Sequence, residues 1–297
     1  MTEPPRSFPT TPARGPGYLP RPLAPSGAGR VGRRAAPPAR SRRAQLDRAS
    51  LGTAAGTLLS RVSGLVRLVV LAAALGGAGL ANAFNLANNT PNMVHDLVLG
   101  GILAATFVPV FVERLATRPE REAHESISAV VTLALVVLLA ATILLALFAP
   151  LVVDAYTSGA AAATPAARDV AVELLRWFAP QVFFYGVVSL ISAVLATRDR
   201  FAVVGVVPVL NNLVSIGVFL SFAVVAHHLA AGGTVPVSAL RADQGLVTLL
   251  GLGTTLGVAV QAAALVPALV RSGAPLRLTW RPRDPAVRTI VSLSSWT

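Results

Sequence analysis

The sequence predicts an all-α polytopic membrane bundle, and three features predict it. Hydrophobic residues make up 54% of the 297 residues and charged ones only 13%, with a mean hydropathy of +0.66. A water-soluble domain carries about 25% charged residues, so too little polar surface is present to cover this chain in water. Long apolar runs alternate with short polar breaks from Leu51 onward. The arginines collect in every second break, as cytoplasmic loops require. Nothing in the runs alternates with the two-residue period of a barrel, and lipid forbids unsatisfied backbone, so the runs are helices.

Residues 1–49 stand apart. Ten Pro and ten Arg against Glu3 and Asp47 give a net +8 without apolar periodicity. Such a segment cannot bury enough surface to offset its ordering entropy and is expected to be a disordered cytoplasmic tail. No short apolar core with a small-residue cleavage site follows its charges, as a signal peptide would need. Anionic lipid headgroups are its expected partner, each nearby Arg contributing on the order of 1 kcal/mol; an inert solvated tail is the plain alternative. Nucleic acid is not expected, because no folded reader module or interleaved aromatics accompany the arginines.

Apolar runs near 51–76, 80–112, 126–153, 170–197, 202–229 and 245–270 are each long enough to cross a bilayer, which takes about 20 residues. They make 50–270 a six-helix transmembrane region. Residues 271–297 follow as a basic cytoplasmic loop and the start of a seventh helix near 286, read as cut short at Thr297. With the N-terminus inside, the tail, 113–125, Arg198 with Arg200, and 271–288 hold twenty arginines. The opposite loops hold only Arg168 and Arg241. The net charge of +12 is therefore topological. All 25 basic residues are Arg, which together with abundant Ala, Val and Gly is the usage of a GC-rich genome.

Two residues sit where lipid should be. Arg61 lies roughly 15 Å into the first span, near the bilayer centre, and Arg67 follows one face further on. Insertion there costs at least about 2.5–3.5 kcal/mol, so such residues face protein or a wet cavity. A structural pair locking the helix to a neighbour is the competing explanation. Ser60, Gly64 and Arg67 share one helix face, and Arg61 projects about 120° away, so the two cations border a cavity. Arg176 is three residues after Glu173, and a local pair or snorkelling accounts for it.

The second run carries a stripe. Asn82, Asn85, Asn89, Asn92 and Asp96 recur at helical spacing along one face, with Asn88 and His95 beside it. Five polar groups on one face are costly against lipid, so the stripe is expected to line water; interhelical hydrogen bonding is the alternative. Pro91 removes a backbone donor in mid-run, where a kink or break is expected. An Arg61–Asp96 ion pair is geometrically allowed. Catalytic and metal motifs are missing: there is no Cys, His227 and His228 point apart, and no nucleophile elbow occurs. Gly253 and Gly257 read as close helix packing rather than a nucleotide loop. No enzyme, cofactor or metal is expected.

Several segments together resemble the MurJ (MviN) lipid II flippases of the MOP exporter superfamily. They are LLSRVSGLVR (58–67), ANAFNLANNTPNM (81–93) with GGILAATFVPVF (100–111), and ELLRWFAPQVFFYGVVSLISAVLATRDRFAVVGVVPVLNNL (173–213). The resemblance implies two six-helix lobes facing a central cavity, this chain supplying the amino lobe. It implies carriage of lipid II, the undecaprenyl-diphosphate-linked disaccharide-pentapeptide, across the bacterial plasma membrane by alternating access. Cell-wall synthesis proteins are possible further partners. By position, Arg61 and Arg67 inherit the family's diphosphate-holding role. Ser60, Asn82, Asn85, Asn89, Asn92, His95 and Asp96 complete the expected cavity surface. The chain departs from the family at Asn82, where Asp is common, at His95 and Asp96, where an Arg pair is common, and at Gly100, where Glu is common. Two other functions stay open: a cation-coupled small-molecule exporter of the same superfamily, and a non-transporting scaffold or regulator of wall synthesis.

Overall fold

The computed structural model describes residues 39–76, 78–100, 120–158, 164–198, 200–229, 236–273 and 278–281. Two compact units divide the chain, Met1–Arg42 and Arg43–Thr297, and the second forms the bundle. Helices α1 (Ala39–Leu75), α2 (Ala78–His95), α3 (Glu120–Leu147), α4 (Ala149–Thr157) and α5 (Pro165–Phe178) come first. They are followed by α6 (Pro180–Ala196), α7 (Phe201–Val206), α8 (Pro208–Leu229), α9 (Val237–Ala242) and α10 (Gln244–Arg271). No strand occurs among the described residues.

Among the described residues, five stretches are long and apolar enough to cross a membrane: Gly52–Leu75, Glu125–Leu147, Pro165–Ala196, Phe201–His228 and Gln244–Arg271. They coincide with the first, third, fourth, fifth and sixth runs of the sequence. The far half of the second run, the loop at 113–119 and the seventh helix near 286 lie outside the described residues.

Prolines set the interruptions. Pro150, Pro180 and Pro208 sit at the starts of α4, α6 and α8, each just after a break in what the sequence reads as one run. A proline tolerates the first turn of a helix but cannot accept the preceding turn's geometry, so each run becomes two helices end to end. Pro91 behaves differently. The helix continues through it to His95, and the geometry changes only at Asp96–Gly100, a π-helical turn. The expected break at Pro91 is thus displaced by one turn. The tail boundary also moves: α1 begins at Ala39, inside the segment expected to be disordered up to residue 49. The last tail proline is Pro38, and the Ala-, Arg-, Gln- and Leu-bearing stretch after it favours helix.

The core forms where α2 meets α5 and α8. Leu80, Ala83, Phe84 and Ala87 are buried along one face of α2, and Phe84 stands edge-on to Phe178 and Phe219 at ring distances of 5.4 and 5.7 Å. Glycines let α10 approach its neighbours. A Cβ on Gly251 would lie 2.5 Å from Trp177, one on Gly253 2.6 Å from Val218, and one on Gly257 2.5 Å from the Asn211 side chain. This close seam is what the Gly253–Gly257 spacing predicts. A hydroxyl chain crosses the same region: the Tyr185 hydroxyl donates to Gln181 (3.3 Å), Gln181 Nε2 to Thr255 (3.1 Å), and Thr255 Oγ1 to the Trp177 carbonyl (2.8 Å).

The two ends of the bundle are pinned by separate polar clusters. At one end Arg168 bonds Asp154 at 2.6 and 2.8 Å, and Arg241 reaches Asp169 at 2.7 Å, joining α4, α5 and α9. The hydrogen bonds from Arg168 hold the Asp154 carboxyl below its ordinary range. At the other end Arg281 pairs with Glu125 at 3.0 Å, and Arg198 donates to the Ser272 carbonyl at 3.2 Å. Loops assigned to one side by arginine counting therefore meet one another.

Candidate functional site

The α2 helix is sharply two-sided. Asn82, Asn85, Asn89, Asn92 and Asp96 are all exposed, while Leu80, Ala83, Phe84, Ala87 and Thr90 are buried on the reverse face. Apolar side chains at helical spacing are drawn into the core, and the amides are left outside as one continuous surface. Asn88, flanking the stripe, is half-buried.

His95 departs from the expected cavity surface. It is only 9% exposed and turned into the bundle. Its Nδ1 lies 3.0 Å from Asp96 Oδ1 and its Nε2 3.1 Å from Ser189 Oγ on α6, with the Tyr185 ring 6.0 Å away. The helical register explains this: position 95 continues the buried face of 80, 84 and 87, and its two polar atoms are satisfied there. Asp96 stays on the stripe with its side chain 66% exposed. Its hydrogen-bond partner is His95, and no Arg61–Asp96 pair forms among the described residues.

The α1 residues separate likewise. Ser60 is half-buried in a seam with α8, where Asn212 Nδ2 donates to the Ser60 carbonyl at 3.2 Å and to Ser63 Oγ at 2.9 Å. Gly64 lies on the same seam, where a Cβ would meet Asn212 Nδ2 at an ordinary contact distance of 3.6 Å. Two turns earlier, a Cβ on Gly56 would lie 2.8 Å from Val206. The face shared by Ser60 and Gly64 thus meets α8, through the Ser60 carbonyl and the Ser63 hydroxyl. Arg61 projects to the other side, exposed and without an ion pair among the described residues. Arg67 is half-buried, and its Nε is enclosed without a hydrogen-bond partner among the described residues.

Two groups of polar residues escaped the sequence reading: Asn212, and the set formed by Ser189, Tyr185, Gln181 and Thr255. The available signal was isolated polar side chains inside apolar runs, which bond across helices. Single residues without a repeat do not reveal which neighbour they meet.

The sequence model of the family described as lipid II flippase MurJ matches residues 71–297. A probable lipid II flippase MurJ of Vibrio cholerae is 30% identical over 258 residues, covering 84% of this chain and 45% of that protein. One from Synechocystis is 31% identical over 81% of this chain and 43% of its own length. The lipid II flippase MurJ of Burkholderia cenocepacia is 34% identical over 66% of this chain and 36% of its own. The chain spans less than half the length of these curated relatives. A family match over so much of the chain, on an all-helical membrane bundle, places it: this chain belongs to the lipid II flippase MurJ family.

Proposed function

We propose that the chain forms one wall of a flippase that carries lipid II from the inner to the outer leaflet of a bacterial plasma membrane, with its N-terminus in the cytoplasm. The observation that carries this reading is the outward face of α2, five amide or acid groups in a row, backed by a packed apolar core. Lipid cannot solvate such a surface, but a hydrated passage for sugar and diphosphate can. Arg61 supplies a permanently charged planar donor for phosphate oxygens, and the half-buried Arg67 a second one. The amides of Asn82, Asn85, Asn89 and Asn92 offer donors and acceptors to sugar hydroxyls. The polyprenyl tail stays in lipid. Alternating access follows from rocking of this wall against a facing one, as in other repeat-built transporters.

The substrate class is taken from the relatives, which are named as lipid II flippases. The test is genetic. Expressed from its own locus in cells depleted of any other such flippase, the protein sustains growth, and Arg61→Ala abolishes that growth with membrane insertion intact. Normal growth of the Arg61→Ala strain would favour a scaffold that needs no cationic passage.

A further inference from the structure

On the side of α6 turned away from α2, an apolar groove of about 160 Å³ opens between α3, α6 and α10. Val131 and Leu135 of α3, Val187, Leu190 and Ile191 of α6, Leu269 of α10 and Leu278 line it, and Leu278 is itself 80% exposed. The segment at 278–281 crosses this end of the bundle as a strap. Thr279 donates its backbone N–H to Thr132 Oγ1 at 2.9 Å, and Arg281 pairs with Glu125. Trp280, two residues from Leu278, is 62% exposed.

We infer that this groove holds one acyl chain of an anionic glycerophospholipid, whose headgroup rests on the arginines at the mouth. Three observations point to that occupant. The walls belong to helices apolar enough to cross a membrane, so the surrounding solvent is lipid. The same end carries Arg198, Arg200, Arg271 and Arg281 against Glu122 and Glu125 among the described residues, a surplus of positive charge. An exposed Trp next to the mouth is the side chain that settles at headgroup level. A resident membrane lipid is favoured over transported cargo by helix geometry. Val187, Leu190 and Ile191 face the groove, whereas Ser189 points roughly 150° from their mean direction around the helix and bonds His95. An occupant of the groove is therefore screened by α6 from the polar stripe.

The test uses Trp280 as reporter, in a background where Trp177 and Trp296 are Phe, with the chain reconstituted in phosphatidylcholine nanodiscs. Chain-brominated phosphatidylglycerol, compared with chain-brominated phosphatidylcholine at the same mole fraction, is expected to quench Trp280 about twofold more strongly. Val187→Phe, which fills the groove, and Leu278→Gln, which removes an exposed apolar wall without touching helix packing, each abolish the difference. Equal quenching by the two lipids overturns the proposal. So does a preference for phosphatidylglycerol that survives both substitutions, since it would belong to the basic end alone. Neither outcome depends on whether the protein moves lipid II.

Discussion

Asn212 shows how one polar side chain decides where a helix docks. Its amide holds two acceptors on α1, a carbonyl and a hydroxyl, across a seam otherwise made of glycine and small residues. Between membrane helices such bonds are worth about 0.6–1.7 kcal/mol each. Asn212→Val is expected to cost about 1–2 kcal/mol in a detergent unfolding titration and to loosen α1 selectively. The glycines of α10 act by what they lack. Gly251→Ala places a methyl against Trp177, a buried contact with no flexible end to give way. About 1–3 kcal/mol of lost stability is expected, whereas alanine at Gly217, an exposed position of α8 where a Cβ meets nothing within 4 Å, should raise stability by roughly 0.5–1 kcal/mol in the same measurement.

The two faces of α2 have separable duties. Phe84→Ala removes a ring packed on both Phe178 and Phe219 and should destabilise the bundle by about 3–5 kcal/mol, seen as a lowered unfolding midpoint. The double substitution Asn85→Leu with Asn89→Leu touches only exposed positions. It should leave the midpoint unchanged or raised while growth complementation falls. A joint loss of stability and growth would instead make the stripe a packing surface. Much of this element was legible in the sequence, because the 3–4 spacing of Asn and Asp writes a helix face directly. The position of His95 was not. Adjacent to Asp96 in the chain, it lies about 100° round the helix, and only the approach of α6 shows that this direction is inward.

Among the described residues, the arginine–carboxylate pairs lie at the two ends of the bundle, and the Asp154–Arg168 pair makes one of those ends sensitive to acid. The Asp154 carboxyl titrates below its ordinary 3.8 because it accepts hydrogen bonds from Arg168. A lowered folded value means the contribution is fully present above 3.8 and is lost as pH falls through the folded value. Both groups are exposed, so the effect is local and screened by salt. Hydrogen exchange in α4 and the first turn of α5 should therefore quicken below that point, and the step should vanish in Asp154→Asn. An unchanged exchange profile in the variant would show that the pair does not hold this junction.

Composition and periodicity determined that this chain is a bundle of membrane helices, where most of them run, and that α2 carries a polar face. Those properties are local: apolar length and residue spacing act within one helix, and lipid imposes the rest. Only the tertiary structure decided which polar residues are spent on packing. Ser63 and His95 look as available as Arg61 and Asn85 until Asn212 and Ser189 arrive from segments more than ninety residues away in the chain. Hydrogen bonding between helices depends on which faces meet, and that depends on glycine seams and proline breaks summed over the whole bundle.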